Sequence, residues 1–184
     1  VYVFGHQNPD NDAVMSAVVL AQLLNQVGYE GNEYKACALG ALPAESAKLL
    51  AEAGIAEPEQ IKGVEAGQLV VLTDHNESSQ SVEGLKDATV LGVVDHHRIG
   101  DFETAAPLHY IALPWGSSCT IVAKLFEVLG QELTDVQAKL LLSAMMTDTL
   151  MLKSPTTTDV DRAIAAKLGE QLGVDPVKFG MEVF

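Results

Sequence analysis

Short apolar runs and longer amphipathic stretches take turns along the chain. Residues 1–5 ("VYVFG"), 69–73 and 90–94 are continuously apolar and bounded by polar residues. Runs of that length, apolar throughout rather than alternating, mark strands buried on both faces of a parallel sheet. Residues 34–38 and 108–113 read as further strands. Between them lie helical patterns. Residues 13–27 place Leu20, Leu23, Leu24 and Val27 on one face, and residues 44–53 stop at Gly54, a natural C-terminal stop. Residues 118–129, 135–146 and 158–172 are predicted helices, the last capped by Thr158 or Asp159; residues 176–184 begin another. Helical and apolar-run patterns in alternation predict an α/β fold, a mainly parallel β-sheet flanked by helices on both faces.

The 184 residues suffice for one ordinary domain with a real core. Hydrophobic residues make up 48% and charged residues 20%, a soluble globular composition. No apolar run is long enough to span a bilayer, so no membrane partner is expected. The opening "VYVFGHQNPD" turns polar too soon for a signal peptide, and a first residue other than Met predicts a trimmed start. Cys37 and Cys119 each sit inside an apolar segment and read as reduced buried thiols, which predicts a cytoplasmic setting. The net charge of −14 argues against nucleic acid as a partner. It also conflicts with an anionic substrate unless metal ions supply positive charge locally.

Four segments carry the unusual residues: "FGHQNPDND" with His6, Asp10 and Asp12; "VVLTDHNE" with Asp74 and His75; "VVDHHR" with Asp95, His96 and His97; and "AMMTDTLMLKSPTTT" with Asp148 after a helix. The first three share one grammar, a predicted strand running straight into Asp or His. Ligands of open α/β sheets bind beyond the carboxyl ends of the strands. Parallel neighbours would therefore bring His6, Asp10, Asp12, Asp74 and His96 to one rim, with Asp148 joining from a helix end. Several carboxylates at one rim repel one another, and divalent cations remove the conflict. Four aspartates and two such ions are locally neutral. Mixed imidazole and carboxylate donors without thiolate suit Mn²⁺ or Co²⁺, and also Zn²⁺, better than an all-oxygen cage. Pro9 places Asp10 and Asp12 on a loop rather than on one helix face, ahead of a helix whose N-terminal dipole favours an anion. A single Asp after a strand is usually a turn residue; four motifs at element ends weaken that explanation.

Together "GHQNPDNDA", "DHNE", "DHHR" and "MMTDTLMLKSPTTT" resemble the DHH phosphoesterase superfamily and, within it, the family II (manganese-dependent) inorganic pyrophosphatases. The likeness runs from Val3 to about Ala166. Nuclease members usually have Gly between the two aspartates of the first motif, where this chain has Asn11; metazoan prune-type phosphodiesterases are nearer. The resemblance implies that residues 1–184 are the DHH metal-binding catalytic domain, with a tail from about 174 leading toward a linker. A C-terminal, substrate-binding family domain with a basic "SRKKQ"-type segment would be missing. It also implies two Mn²⁺ (or Co²⁺) per domain. His6, Asp10, Asp74 and Asp148 would hold the first, and Asp12, His96, Asp74 and Asp148 the second. His97 would face the substrate rather than a metal, and Asp95 would orient a ligand by hydrogen bonding. The activity implied is hydrolysis of pyrophosphate to two orthophosphates by a two-metal mechanism with a bridging hydroxide, Mg²⁺ accompanying the substrate. The acidic chain would be weakly active alone. A homodimer is expected on the same ground.

Lys153 and Arg98 are the cations inside the motifs. Lys153 could touch phosphate or be a surface charge. Ser117 and Ser118 precede a predicted helix; a plain N-cap is the simpler role, and Ser118 is a candidate supporting residue near the site. His109 reads as a strand or surface residue and His75 as loop support. Met145, Met146 and Met151 read as core, Trp115 as a loop anchor, and residues 28–31 form no dinucleotide fingerprint. Two other functions fit the motifs: a DHH-type phosphodiesterase on short oligonucleotides or cyclic dinucleotides, and a metal-binding regulatory module without catalysis.

Overall fold

A computed structural model describes residues 1–183. It contains a six-stranded sheet in the order β3-β2-β1-β4-β5-β6. The strands are β1 (Tyr2–Phe4), β2 (Lys35–Ala38), β3 (Glu59–Gln60), β4 (Leu69–Thr73), β5 (Thr89–Asp95) and β6 (His109–Ala112). Every neighbouring pair is parallel. The α-helices are α1 (Asn11–Val27), α2 (Ala44–Glu52), α3 (Ser118–Val128), α4 (Asp135–Asp148), α5 (Asp159–Leu172) and α6 (Pro176–Val183). The fold class and each predicted element are present, with ends moved by a few residues. Phe184, part of the predicted last helix, lies outside the described residues.

Side chains of successive strand residues go to opposite faces, and the two cores follow that alternation. Val3, Val71 and Val94 join one cluster with buried residues of α1 to α5, and Phe179 and Val183 of α6 pack against it. Met145 and Met146 belong to it, as expected, and Met151 packs on its margin. Phe4, Val70, Leu72 and Val93 point the other way into a second cluster. Among the described residues no α-helix contributes to this second cluster; its cover includes Val82, Leu85 of the 3₁₀ turn Leu85–Asp87, Phe102 and Leu108. These residues lie in the β4–β5 and β5–β6 connections. Both cysteines are free and buried.

Two local features aim the strand ends. The ladder between β4 and β5 slips by one residue, pairing Val70 with Val90 but Val71 with Gly92. The extra residue, Leu91, resets the alternation so that Val93 and Val94 match Leu72 and Thr73, with Asp95 next in line. At the end of β1, Gly5 lets α1 approach: a Cβ there would stand 2.6 Å from that of Ala13. The strand order reverses direction between β1 and β4. That switch point is where a crevice opens beyond the carboxyl ends of an α/β sheet.

Candidate metal centre

His6 follows β1 and Asp74 follows β4, one on each side of the switch point. Asp74 is almost fully buried and takes a left-handed backbone, φ 60°, which a branched or bulky residue would strain to adopt. Its two carboxylate oxygens face different neighbours. Oδ2 lies 3.3 Å from His6 Nε2, while Oδ1 lies 3.1 Å from His96 Nε2 and accepts a 3.1 Å bond from Ser118 Oγ. His6 Nε2 is also 3.5 Å from Asp10 Oδ1. His96 Nε2 is 3.4 Å from Asp148 Oδ2 and 3.8 Å from Asp12 Oδ2.

The donor atoms therefore fall into sets of metal-binding size. His6, Asp10 and Asp74 form one, and Asp12, His96 and Asp148 another, each with its ligand atoms within 4.8 Å of one another. Asp74, His96 and His97 form a third that overlaps them. All six predicted ligands converge on one rim, as the strand ends suggested.

Asp12 is not on a loop, whereas Asp10 ends the loop. Asp10 is the N-cap of α1, its Oδ1 accepting the Ala13 N–H at 2.9 Å, and Asp12 lies in the first helical turn. The loop ahead is short because Asn8 turns left-handed at φ 51° before Pro9, which lets the cap form two residues earlier than the apolar pattern shows. Asp12 also faces the start of α3: Ser118 N–H and Cys119 N–H donate to its two oxygens at 2.8 and 2.9 Å. Two helix N-termini thus meet at one buried carboxylate. Ser117, not Ser118, is the N-cap of α3; Ser118 reaches the site through its amide and its hydroxyl.

Asp95 organises the turn after β5. Its Oδ1 accepts from the backbone N–H groups of His96 and His97 and from His97 Nδ1 at 2.7 Å, while Asn76 Nδ2 donates to Oδ2 at 2.8 Å. His97 is half-exposed and its ring stacks obliquely near that of His96, centroids 4.2 Å apart. His96 donates Nδ1–H to the Trp115 carbonyl at 2.9 Å, which leaves Nε2 for the carboxylates. That Nε2 is buried and makes no hydrogen bond of acceptable angle. An orphaned imidazole nitrogen ringed by carboxylate oxygens, with no thiolate in any donor set, fits a divalent cation with nitrogen and oxygen ligands.

Without cations the site is short of positive charge, and proton affinities shift to supply it. Burial works against a charged His6, but the carboxylates of Asp10 and Asp74 outweigh it and raise its pKa to about 11. His96, opposed by burial and favoured by Asp74 and Asp148, is raised to about 9. Burial also opposes an ionised Asp74, yet the two imidazoles hold its carboxyl well below the usual range. Asp12 is pushed well above that range by burial and then by the charges of Asp74, Asp148 and Asp10. Asp148 is raised to about 7 by burial and by Asp74 and Asp10.

Asp148 gives a counterintuitive prediction. An unfolded Asp ionises near about 3.9, whereas in the fold this one keeps its proton to about 7. Folding above the lower value takes up a proton, so stability falls as pH rises between the two. Asp148→Asn removes that cost. The metal-free melting temperature at pH 7.5 rises, by roughly 2–4 °C for each kcal/mol relieved, while Mn²⁺ affinity drops. Thermal unfolding with and without Mn²⁺ checks both signs, and a lower metal-free melting temperature contradicts the account.

His75 is loop support, as expected: buried, its nitrogens meet the Thr73 carbonyl at 2.8 Å and Ser81 Oγ at 2.9 Å, and burial lowers its pKa to about 4. His109 stands exposed at the start of β6, 3.1 Å from Glu30 Oε1. Arg98 pairs with Glu77 on the surface at 3.1 Å, and Lys153 is exposed in the turn after α4. The sequence reading missed Asn76, the Cys119 amide and the Trp115 carbonyl. An Asn two residues after Asp74 could have been noticed; backbone groups leave no trace in a sequence.

A family model described as "DHH family, N-terminal domain" matches residues 1–151. A Streptococcus agalactiae protein named as a manganese-dependent inorganic pyrophosphatase is 43% identical over 185 aligned residues, covering all of this chain and 59% of its own. A protein of the same name from an Exiguobacterium species is 41% identical with the same coverage. Among solved structures, a Methanococcus jannaschii protein assigned to the family II inorganic pyrophosphatases superposes with TM-score 0.87 at 39% identity, covering 99% of this chain and 60% of that one. A Bacteroides fragilis exopolyphosphatase-related protein shares the fold, with TM-score 0.74 at 17% identity. The chain spans about three fifths of the length of the curated relatives it matches.

Proposed function

Because the chain belongs to the DHH family, as its N-terminal domain, we propose that it is the metal-binding part of a manganese-dependent inorganic pyrophosphatase. The observation that carries this reading is Asp74, whose two oxygens face two separate donor sets. In it, His6 and Asp10 hold one Mn²⁺, Asp12 and His96 hold the other, and Asp74 and Asp148 reach both. A bound pair of such ions supplies an acidified water at neutral pH and positive charge for phosphoryl oxygens.

The residues of the chain supply the rest. Asp12, pinned by the α3 amides, cannot swing out of the site. Asp95 holds His97 at the site's half-exposed mouth, where an imidazole can donate to an anionic substrate or leaving group. Ser118 Oγ holds Asp74. Lys153, exposed beyond Asp148, is placed to meet a phosphate, with Mg²⁺ accompanying the substrate. Arg98 is already paired, so this chain offers few cations for a highly charged anion. A cationic surface contributed by further polypeptide completes the site in this reading, and the chain alone turns over slowly. A cytoplasmic location and a homodimer belong to the same proposal; no described helix is long and apolar enough to cross a membrane.

The test is an orthophosphate-release assay on pyrophosphate with the 184-residue chain, with and without Mn²⁺, beside release of mononucleotides from short oligonucleotides. The expected result is slow, Mn²⁺-dependent hydrolysis of pyrophosphate and no mononucleotide release. Mononucleotide release in preference to orthophosphate would overturn the reading.

A further inference from the structure

Asp161 lies on α5, belongs to none of the donor sets, and is completely buried. A buried carboxylate needs partners, and it has four, all donors. Thr158 N–H and Thr158 Oγ1 donate to Oδ2 at 2.8 and 2.7 Å, completing the capping box of α5. Capping accounts for these two. The others come from across the fold: Gly116 N–H donates to Oδ2 at 2.8 Å, and Thr120 Oγ1 to Oδ1 at 2.6 Å.

The Gly116 N–H belongs to the peptide group whose carbonyl is that of Trp115, and that carbonyl accepts the Nδ1–H of His96. One peptide unit therefore carries the Asp161 carboxylate on its nitrogen side and the His96 imidazole on its oxygen side. Metal-bound histidines give their second N–H to a carboxylate, a backbone carbonyl or water, which fixes the tautomer and strengthens the ligand. Here the partner is a backbone carbonyl, with a carboxylate one peptide further away. Hydrogen bonds in series polarise one another, so an anion on the Gly116 N–H makes the Trp115 oxygen a better acceptor.

We propose that Asp161 is a positioning residue for the metal centre, holding His96 in the Nδ1–H form through the Trp115–Gly116 peptide. The proposal rests on the metal-centre reading above. The same carboxylate reaches the other members of the Asp12, His96 and Asp148 set. Thr120 Oγ1 meets Ser117 Oγ at 2.8 Å, and Ser117 begins the α3 turn whose amides grip Asp12. Gly116 is pressed between Asp161 and Thr149, the residue after Asp148: a Cβ there would stand 2.7 Å from Thr149 Cγ2 and 2.9 Å from Asp161 Oδ2. His6 and Asp10 receive no hydrogen bond from this network. The influence of Asp161 thus falls mainly on the Asp12, His96 and Asp148 set, and reaches the other only through the shared Asp74 and Asp148.

The experiment compares Asp161→Asn with Thr158→Ala in the 184-residue chain. Thr158→Ala removes the cap on Asp161 without touching the peptide relay. Mn²⁺ affinities come from calorimetry, and the His96 Nδ1–H resonance from ¹⁵N NMR of the Zn²⁺-loaded chain. Asp161→Asn is expected to weaken the Mn²⁺ site that contains His96 about 10–100-fold, to weaken the other clearly less, and to move the His96 resonance upfield. Thr158→Ala lowers the melting temperature and changes neither reading. A His96 resonance that stays put in Asp161→Asn, equal losses at both sites, or the same changes in Thr158→Ala would assign Asp161 a purely structural role and overturn the proposal. Failure of the wild-type chain to bind Mn²⁺ would overturn the metal-centre reading itself, and the proposal with it. If Asp161→Asn does not fold, couplings across the two hydrogen bonds in the wild type decide. Both present, from Gly116 N to the Asp161 carboxyl carbon and from His96 Nδ1 to the Trp115 carbonyl carbon, support the relay; either absent overturns it.

Discussion

Asp74→Asn is expected to abolish useful Mn²⁺ binding at both donor sets while leaving the fold intact. Asp74 is the side chain whose two oxygens contact both His6 and His96. Removing one charge from a buried pair costs roughly 3–5 kcal/mol, or about 10²–10⁴-fold in affinity at each set. The backbone favours the substitution, because Asn tolerates the left-handed conformation seen at φ 60°. The histidines report the loss independently. With Asp74 neutral, the His6 pKa falls from about 11 and that of His96 from about 9 toward the ordinary histidine range. In the metal-free chain that pairing is fully present below about pH 6.5 and is lost as pH rises through the two folded values, so Asp74→Asn forfeits it at neutral pH. Calorimetry with Mn²⁺ and an NMR titration of the imidazoles read both effects. Tight binding retained by Asp74→Asn would mean that Asp74 does not bridge.

Mn²⁺ affinity should climb steeply with pH. At pH 6 the metal-free site holds protons on His6, His96, Asp12 and Asp148, since all four are raised above their usual values. A cation must displace them, because ligands bind deprotonated. Above about 7 Asp148 is already ionised and above about 9 His96 has lost most of its proton, so the dependence eases, with the proton on His6, raised to about 11, still to be displaced. Each displaced proton changes the apparent affinity about tenfold per pH unit. The logarithm of the affinity against pH should therefore have a slope of about 2 or more between pH 6 and 7, easing above. Calorimetry in buffers of different ionisation enthalpy counts the released protons directly. A slope near zero would mean that the ion binds elsewhere.

The sheet was legible because its strands are buried on both faces, so apolar runs alone marked β4 and the core of β5. The convergence of the candidate ligands on one rim was legible for a related reason. Strand ends are where an α/β sheet opens, and His6, Asp74 and His96 all lie within two residues of a strand end. Asp12 was placed at the rim where it lies but on the wrong element, since α1 begins at Asn11, soon after the left-handed Asn8. After Asp148 three successive residues, Leu150, Met151 and Leu152, take left-handed conformations at φ 50°, 59° and 66°. Such a turn costs non-glycine residues about 1–2 kcal/mol each, and nothing in "TLMLKS" announces it. It is held from outside the run: Thr149 Oγ1 accepts the Leu152 N–H at 3.1 Å, and the Met146 carbonyl accepts that of Met151 at 2.8 Å. Apart from the Asn76 side chain, the gaps share this character. They are contacts through main-chain groups, such as the Ser118 and Cys119 amides on Asp12, whose partners tertiary packing selects.

Anomalous diffraction from a crystal grown with Mn²⁺ tests the central claim most directly. The account predicts two peaks about 3.5–4 Å apart, one beside His6 and Asp10, the other beside Asp12 and His96, with Asp74 between them. A single peak, or peaks away from Asp74, would contradict it.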